Sequence, residues 1–337
     1  MPRFAIDAQR PEPALIERAA ARLRAGELVA FPTETVYGLG ANALDARAVA
    51  KIYAAKGRPS FNPLIVHVHD HSAARPLVRR WPALATRLVE RFWPGPLTLV
   101  LARDPAIPEL VSAGLDTVGL RAPDHPVAQA LLRAAGPCAA PSANRYQSIS
   151  PTTAAHVARS LGPQAWILDA GPTRVGIEST VIDLSDESQA PALLRLGGLP
   201  LAQLEALTGP LRRPLAPSGT QARSSPGQVG RHYAPSGELE RLARPQLLAA
   251  LAAPQPAPLG LVLLGDELGD ELGDGVTARA AHRLRLPADP EGYARLLYAA
   301  LHTLDELGCA KILVEAVPES RAWAAVNDRL ERATVVV

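Results

Sequence analysis

Two stretches of this chain alternate between helical and strand periodicity, and a segment with neither period divides them. That alternation constrains the fold more than any single motif, because it demands a layered α/β architecture in two pieces. In the first stretch, residues 13–25 set Leu15, Ile16, Ala19, Ala20 and Leu23 at helical spacing, and Gly26 ends the helix before an apolar strand at 28–31. The pattern predicts further helices at 46–55, 81–92, 126–135 and 152–161. It predicts strands at 64–68, 97–101, 118–121, 138–140, 166–169, 180–183 and 192–196. Residues 208–237 are crowded with Pro, Gly, Ser and Arg and read as an ordered arm or a flexible connector. Beyond them, helices at 244–252, 292–307 and 322–333 alternate with strands at 259–264 and 311–315, which suggests a small parallel sheet.

Bulk properties narrow the class. At 337 residues the chain exceeds one ordinary core. Its apolar runs fall far short of the roughly 20 residues that span a bilayer, so no membrane helix is expected. The opening MPRFAIDAQRPEP has neither an apolar signal core nor a small-residue cleavage site, and Cys138 and Cys309 are too few for a disulfide framework. A reducing cytoplasm is the expected location. A formal charge of +2 gives no bulk argument for a nucleic-acid surface. All but three of the 35 basic residues are arginine, so Lys51 and Lys56, close together, are unexpected. A compact ammonium at position 56 does something a guanidinium would not, or the pair is chance on an exposed helix.

Several familiar signatures are absent. No G-x-x-x-x-G-K-[ST] loop occurs, and GLGANA (38–43) follows FPTETVY rather than a plain strand, which speaks against a dinucleotide fingerprint. His67, His69 and His71 in HVHDH lack a fitting carboxylate or cysteine to complete a zinc site, so a metal-free strand end is favoured. The tandem GDELGDELGDG (265–275) matches no calcium loop and reads as a solvated loop.

Other motifs carry polar groups at strand ends, where ligands collect in open α/β sheets. FPTETVYGLG (31–40) runs from an apolar strand into Thr33, Glu34 and Thr35. KGRPSFNPL (56–64) stiffens two cations, Lys56 and Arg58, with Pro59 and Pro63 around Asn62, an arrangement suited to polyphosphate or a plain solvated charge pair. APSANRYQSISPT (140–152) supplies Ser142, Asn144, Ser148 and Ser150, able to bind phosphate or ribose oxygens or simply to form turns. GLRAPDHP (119–126) ends a strand on Arg121, whose planar fork suits a carboxylate. GIESTVIDL (176–184) presents Ser179 and Thr180, and LLRLGG (193–198) adds Arg195.

Taken in order, PTETVYGLG, KGRPSFNPL, WPGPLTLVL, VGLRAPDHP, APSAN, GIESTV and LLRLGG cover almost all of residues 15–200 and resemble the YrdC-like family of threonylcarbamoyl-AMP synthases. SPGQVGRHYAP (225–235) and the smaller C-terminal segment resemble the two-domain branch. The resemblance implies an α/β fold: a twisted mixed-sheet catalytic domain (1–205), a linker or lid (206–240) and a Rossmann-like parallel α/β domain (241–337). It implies an L-threonylcarbamoyladenylate synthase, a nucleotidyltransferase that joins L-threonine, bicarbonate and ATP and supplies a downstream tRNA threonylcarbamoyl-transferase complex. By motif position, Thr35, His67, Arg121, Ala140 and Ser179 are implied as the threonine pocket. Arg58, Asn62, Thr117, Ser142, Asn144, Ser150, Arg195 and Tyr233 are implied as ATP contacts, with Lys56 and Arg58 as the catalytic cations on the departing pyrophosphate. Mg²⁺ is implied only as the companion of ATP, with no resident metal site. Gln228, Val229 and Gly230 depart from the Met and basic residue of the family pattern, which puts the lid's contacts in question. Two competing readings are an RNA-binding module built on a basic concave sheet, and a carbamoyl transferase related to hydrogenase-maturation proteins.

Overall fold

The computed structural model describes residues 2–162, 166–214, 232–254, 256–265 and 280–334. These divide into two compact units, one from residues 2–146 and 150–214, the other from 147–149 and 232–334.

The first unit is built on a ten-stranded mixed sheet. Its elements are β1 (Arg3–Ala5), α1 (Pro13–Arg24), β2 (Val29–Phe31), β3 (Gly38–Asn42), α2 (Ala46–Lys56), β4 (Ile65–His67), α3 (His71–Ala74), α4 (Ala83–Phe92), β5 (Leu97–Ala102), α5 (Glu109–Ser112), β6 (Thr117–Arg121), α6 (Pro126–Ala135), β7 (Cys138–Ala139), α7 (Ala154–Leu161), β8 (Trp166–Asp169), β9 (Thr180–Asp183), β10 (Ala192–Arg195) and α8 (Leu201–Thr208). The strands lie in the order β1-β8-β2-β3-β7-β4-β6-β5-β9-β10. Parallel pairs (β1/β8, β2/β8, β4/β6, β5/β9) mix with antiparallel ones.

Both faces are covered, and β2 shows how. The strand alternation sends Val29 and Phe31 into the cluster with Ile16, Leu23 and Leu131, and Ala30 into the cluster with Ile52, Leu88 and Leu97. Helix starts follow local chemistry: Asp45 accepts from Arg47 N ahead of α2, and Thr153 accepts from His156 N ahead of α7. Gly57, at φ 62°, closes α2 in the left-handed region and turns the chain into the cationic loop.

The glycine motif GLGAN is a strand rather than a loop. β3 runs antiparallel to β2, and the ring of Phe31 lies so close over Gly40 that an added Cβ would meet it at 2.7 Å. No helix follows these glycines directly, so a dinucleotide fold is excluded at this position. The expected helix at 81–92 begins at Ala83 because Pro82 occupies its cap, and the one at 152–161 begins at Ala154.

The second unit holds β11 (Glu238–Leu242), α9 (Arg244–Ala252), β12 (Leu259–Leu264), β13 (His282–Leu286), α10 (Pro290–Glu306), β14 (Lys311–Glu315) and α11 (Ala324–Ala333). Its four strands are all parallel, ordered β11-β14-β12-β13. β11 and β13 add two strands to those the sequence pattern predicts here. The acidic tandem from residue 266 onward lies outside the described residues. Among the described residues no helix is long and apolar enough to cross a membrane.

Candidate active site

One end of the large sheet gathers the polar residues. Register aligns His67 on β4 with Arg121 on β6 and with Cys138 on β7. Leu99 on β5 faces Leu120, and Leu97 faces Thr180, so the start of β5 and of β9 adjoin the end of β6. Ala140 donates its N–H to the Ile65 carbonyl at 3.0 Å. His67, Arg121 and Ser179 therefore share one sheet end, with Ala140 level with Ile65, two residues back along β4, and each of the four is less than a tenth exposed.

Arg121 is held by a buried partner. Its Nη2 donates to Glu34 Oε1 at 2.7 Å and to Thr35 Oγ1 at 2.8 Å, and its Nε reaches the Gly95 carbonyl at 3.4 Å. Glu34 spends its other oxygen on the Asp124 amide at 3.0 Å. Thr33 Oγ1 lies 2.8 Å from Thr35 Oγ1 and donates to the Val36 carbonyl, which fixes the Thr35 hydroxyl. Among the described residues Nη1 of Arg121 makes no hydrogen bond, so the N–H groups of that nitrogen remain for a carboxylate oxygen. The motif reading placed Glu34 at a strand end without a role. Its signal is a lone acid between two threonines, just past Pro32 and the apolar strand.

His67 is neutral. Burial, then the charge of Arg121, lowers its pKa to about 3. Its Nδ1 sits 3.3 Å from the Ile65 carbonyl, and its ring meets Phe31 edge-on at 6.4 Å. His69 instead pairs with Asp70 at 3.4 Å. Among the described residues no group of three or more His, Cys, Asp or Glu side chains gathers to hold a metal.

Burial also lowers His125 and His156, each to about 4. Below the ordinary value of 6.5 the unfolded chain binds protons that these sites refuse. Stability is therefore full above about pH 6.5 and falls as pH drops toward 4. Melting curves at descending pH will show a falling Tm across that window, and His67→Gln will make the fall shallower.

The cationic loop differs from its expected use. Lys56 Nζ donates to the Ser142 carbonyl at 2.5 Å and to the Asn144 carbonyl, and the residue is 3% exposed. Its ammonium thus staples the 142–144 loop from inside rather than standing free for pyrophosphate. Burial pushes its pKa well down, with Arg58's charge second. Arg58 donates to the Asn62 carbonyl (3.0 Å) and the Pro63 carbonyl (2.8 Å) and lies over the Tyr146 ring. Asn62 Nδ2 reaches Tyr146 OH at 3.4 Å, while its buried Oδ1 has no partner, an acceptor of the kind a base amino group or a ribose hydroxyl satisfies. Lys56, Arg58, Asn62, Ser142 and Asn144 therefore form one clasp of two loops.

Ser150 donates to Glu178 Oε1 at 2.6 Å, both buried. Arg195 binds Ser179 rather than the clasp, its Nε on the Ser179 carbonyl and its Nη2 on the hydroxyl, each at 3.0 Å. Gly197 presses against the same backbone, where an added Cβ would fall 2.3 Å from the Glu178 carbonyl. Thr117 stands at the other end of β6, four residues or about 13 Å from Arg121. Tyr233 belongs to the second unit, where its ring is 1% exposed, stacks on Tyr298 at 5.6 Å and lies under Arg329. Gln228, Val229 and Gly230, with most of the expected lid, lie outside the described residues.

Comparison with known proteins gives this geometry a family. The Sua5/YciO/YrdC family, described under telomere recombination, matches residues 21–197, and the threonylcarbamoyl-AMP synthase C-terminal domain matches residues 199–335. The threonylcarbamoyl-AMP synthase of Pyrococcus abyssi is 42% identical over 95% of this chain and 94% of its own length. That of Bacillus subtilis is 44% identical over 94% and 92%. The crystal structure of P. abyssi Sua5 complexed with L-threonine superposes with a TM-score of 0.89 at 40% identity, covering 100% of both chains. Escherichia coli YciO matches 58% of this chain, with a TM-score of 0.52 at 26% identity. With both domain families matched in order and these relatives covered nearly end to end, the chain belongs to the two-domain threonylcarbamoyl-AMP synthase family.

Proposed function

We propose that this chain condenses L-threonine, bicarbonate or CO₂, and ATP into threonylcarbamoyl-AMP and pyrophosphate, the activated donor for N6-threonylcarbamoyladenosine in tRNA. The observation that carries the reading is Arg121: a buried guanidinium oriented by Glu34 and Thr35 with Nη1 left over, beside a neutral His67. Nη1 can donate a charge-assisted hydrogen bond to the carboxylate of an amino acid. His67, uncharged, offers a hydrogen bond to the amino acid without repelling its ammonium.

The reaction is nucleotidyl transfer. The threonine ammonium gives up one proton to solvent, its nitrogen bonds to the carbon of CO₂ as one C=O π pair moves to oxygen, a second proton leaves to solvent, and an oxygen of the resulting carbamate attacks the α-phosphorus. The bond to the β-phosphate oxygen breaks and pyrophosphate leaves with that electron pair. Neither step needs a protein nucleophile; what it needs is alignment of two anions. The clasp of Lys56, Arg58, Asn62, Ser142 and Asn144, with Ser150, is assigned to the nucleotide. Lys56 acts there as a positioning cation. Mg²⁺ would come with ATP and would neutralise phosphate charge. The consumer of the product is a tRNA threonylcarbamoyl-transferase complex.

Pyrophosphate release from ATP tests the proposal. Turnover is expected with threonine and bicarbonate, much less with serine, and none without an amino acid. Release that ignores threonine would refute it, as would salt-sensitive RNA binding with no turnover.

A further inference from the structure

Two buried hydroxyls meet where β5 adjoins the start of β9. Thr98 Oγ1 and Ser179 Oγ lie 2.8 Å apart, and both residues are 0% exposed. Arg195 Nη2 donates to the same Ser179 oxygen at 3.0 Å. A guanidinium only donates, so one accepting position of Ser179 Oγ is filled by it. Among the described residues, Thr98 Oγ1 makes no hydrogen bond other than the one to Ser179.

The protons then do not balance. Two hydroxyls bring two protons, and the single O···O contact uses one. The other has no acceptor in the surrounding protein, and an unmet donor in a dry site is costly. A surplus proton of this kind points to an acceptor brought by a ligand. Position decides which hydroxyl carries it. Thr98 lies within β5, its methyl packed over Gly119. Ser179 stands one residue ahead of β9, at the sheet end that holds His67 and Arg121.

We propose that Thr98 is a positioning residue. It donates to Ser179, and with Arg195 it fills both accepting positions of that oxygen, so that Ser179 presents its own proton to an anionic oxygen of the substrate. The acceptor is a carboxylate or carbamate oxygen, and the amino acid's ammonium is kept away from this corner. The inference rests on the proposed function and on the threonine pocket, Ser179 included, that the family resemblance implies.

Calorimetric titration of threonine into the full chain tests it, first without bicarbonate and then with bicarbonate and a non-hydrolysable ATP analogue. Thr98→Val is expected to weaken binding about fivefold to tenfold, the weight of one hydrogen bond, and Thr98→Ser to restore it. Weakening already without bicarbonate identifies the carboxylate as acceptor; weakening only with bicarbonate identifies the carbamate. In a Ser179→Ala background Thr98→Val should add nothing. An equal loss in both backgrounds would mean simple packing and would overturn the proposal, as would a Thr98→Val protein that binds as the parent does. Should the valine variant not fold, Thr98→Cys reads the same loss, since a thiol donates poorly. A parent protein that neither binds threonine nor releases pyrophosphate with it would overturn the functional assignment itself, a result distinct from either of these.

Discussion

Replacing Arg121 by alanine will reduce threonine-dependent pyrophosphate release by about 10²–10³-fold or more, and will also destabilise the fold. The two losses have separate causes. Activity falls because the carboxylate clamp is gone and the carbamate is no longer aligned with the α-phosphorus. Stability falls because Glu34, 1% exposed, is left buried without its partner, and breaking a buried pair costs about 3–5 kcal/mol. Arg121→Lys separates them. It keeps a cation near Glu34, so melting should shift little, yet a single ammonium cannot hold Glu34 and Thr35 and still reach the substrate as Nη1 does, so turnover should stay low. An Arg121→Lys enzyme with ordinary threonine KM would refute the clamp.

The second large effect concerns Lys56. Lys56→Met fills the same space but leaves the Ser142 and Asn144 carbonyls without their donor, at about 1–3 kcal/mol each. Loosening of the 142–144 loop should then raise KM for ATP strongly while threonine binding, measured without nucleotide, stays near normal. A phosphate-binding role would predict a different pattern, with kcat lost and Tm unchanged. Thermal melting and steady-state kinetics on the same sample distinguish the two.

Much of the architecture was legible because its elements are periodic and bounded. β9, β12, β14, α6 and α9 run over the residues the pattern assigns. What escaped has physical reasons. β1 has three residues, too few for any period. β3 contains two glycines, which weaken a strand signal, and the ring of Phe31 covers Gly40. β13, HRLRL, alternates leucine with charge and sits at a sheet edge, where such residues face water. In the site, residue types were readable from motifs but their partners were not. Glu34 and Arg121 lie 87 positions apart, and Lys56 reaches carbonyls 86 and 88 positions away. No local pattern encodes such pairings. They arise because the sheet order places β4, β6 and β7 side by side.

The all-parallel second sheet has a consequence for biosynthesis. Among the described residues β14 is the last strand to be made, yet it lies between β11 and β12, and no other strand lies beside β11. No hairpin can form early, and although β12 and β13 can pair with each other first, β11 waits for nearly the whole segment to emerge from the ribosome. A product that ends just before residue 311 would expose β11 and one side of β12 as naked edges, the kind that recruit other chains into aggregates. Premature termination there is a worse outcome than losing the entire second unit.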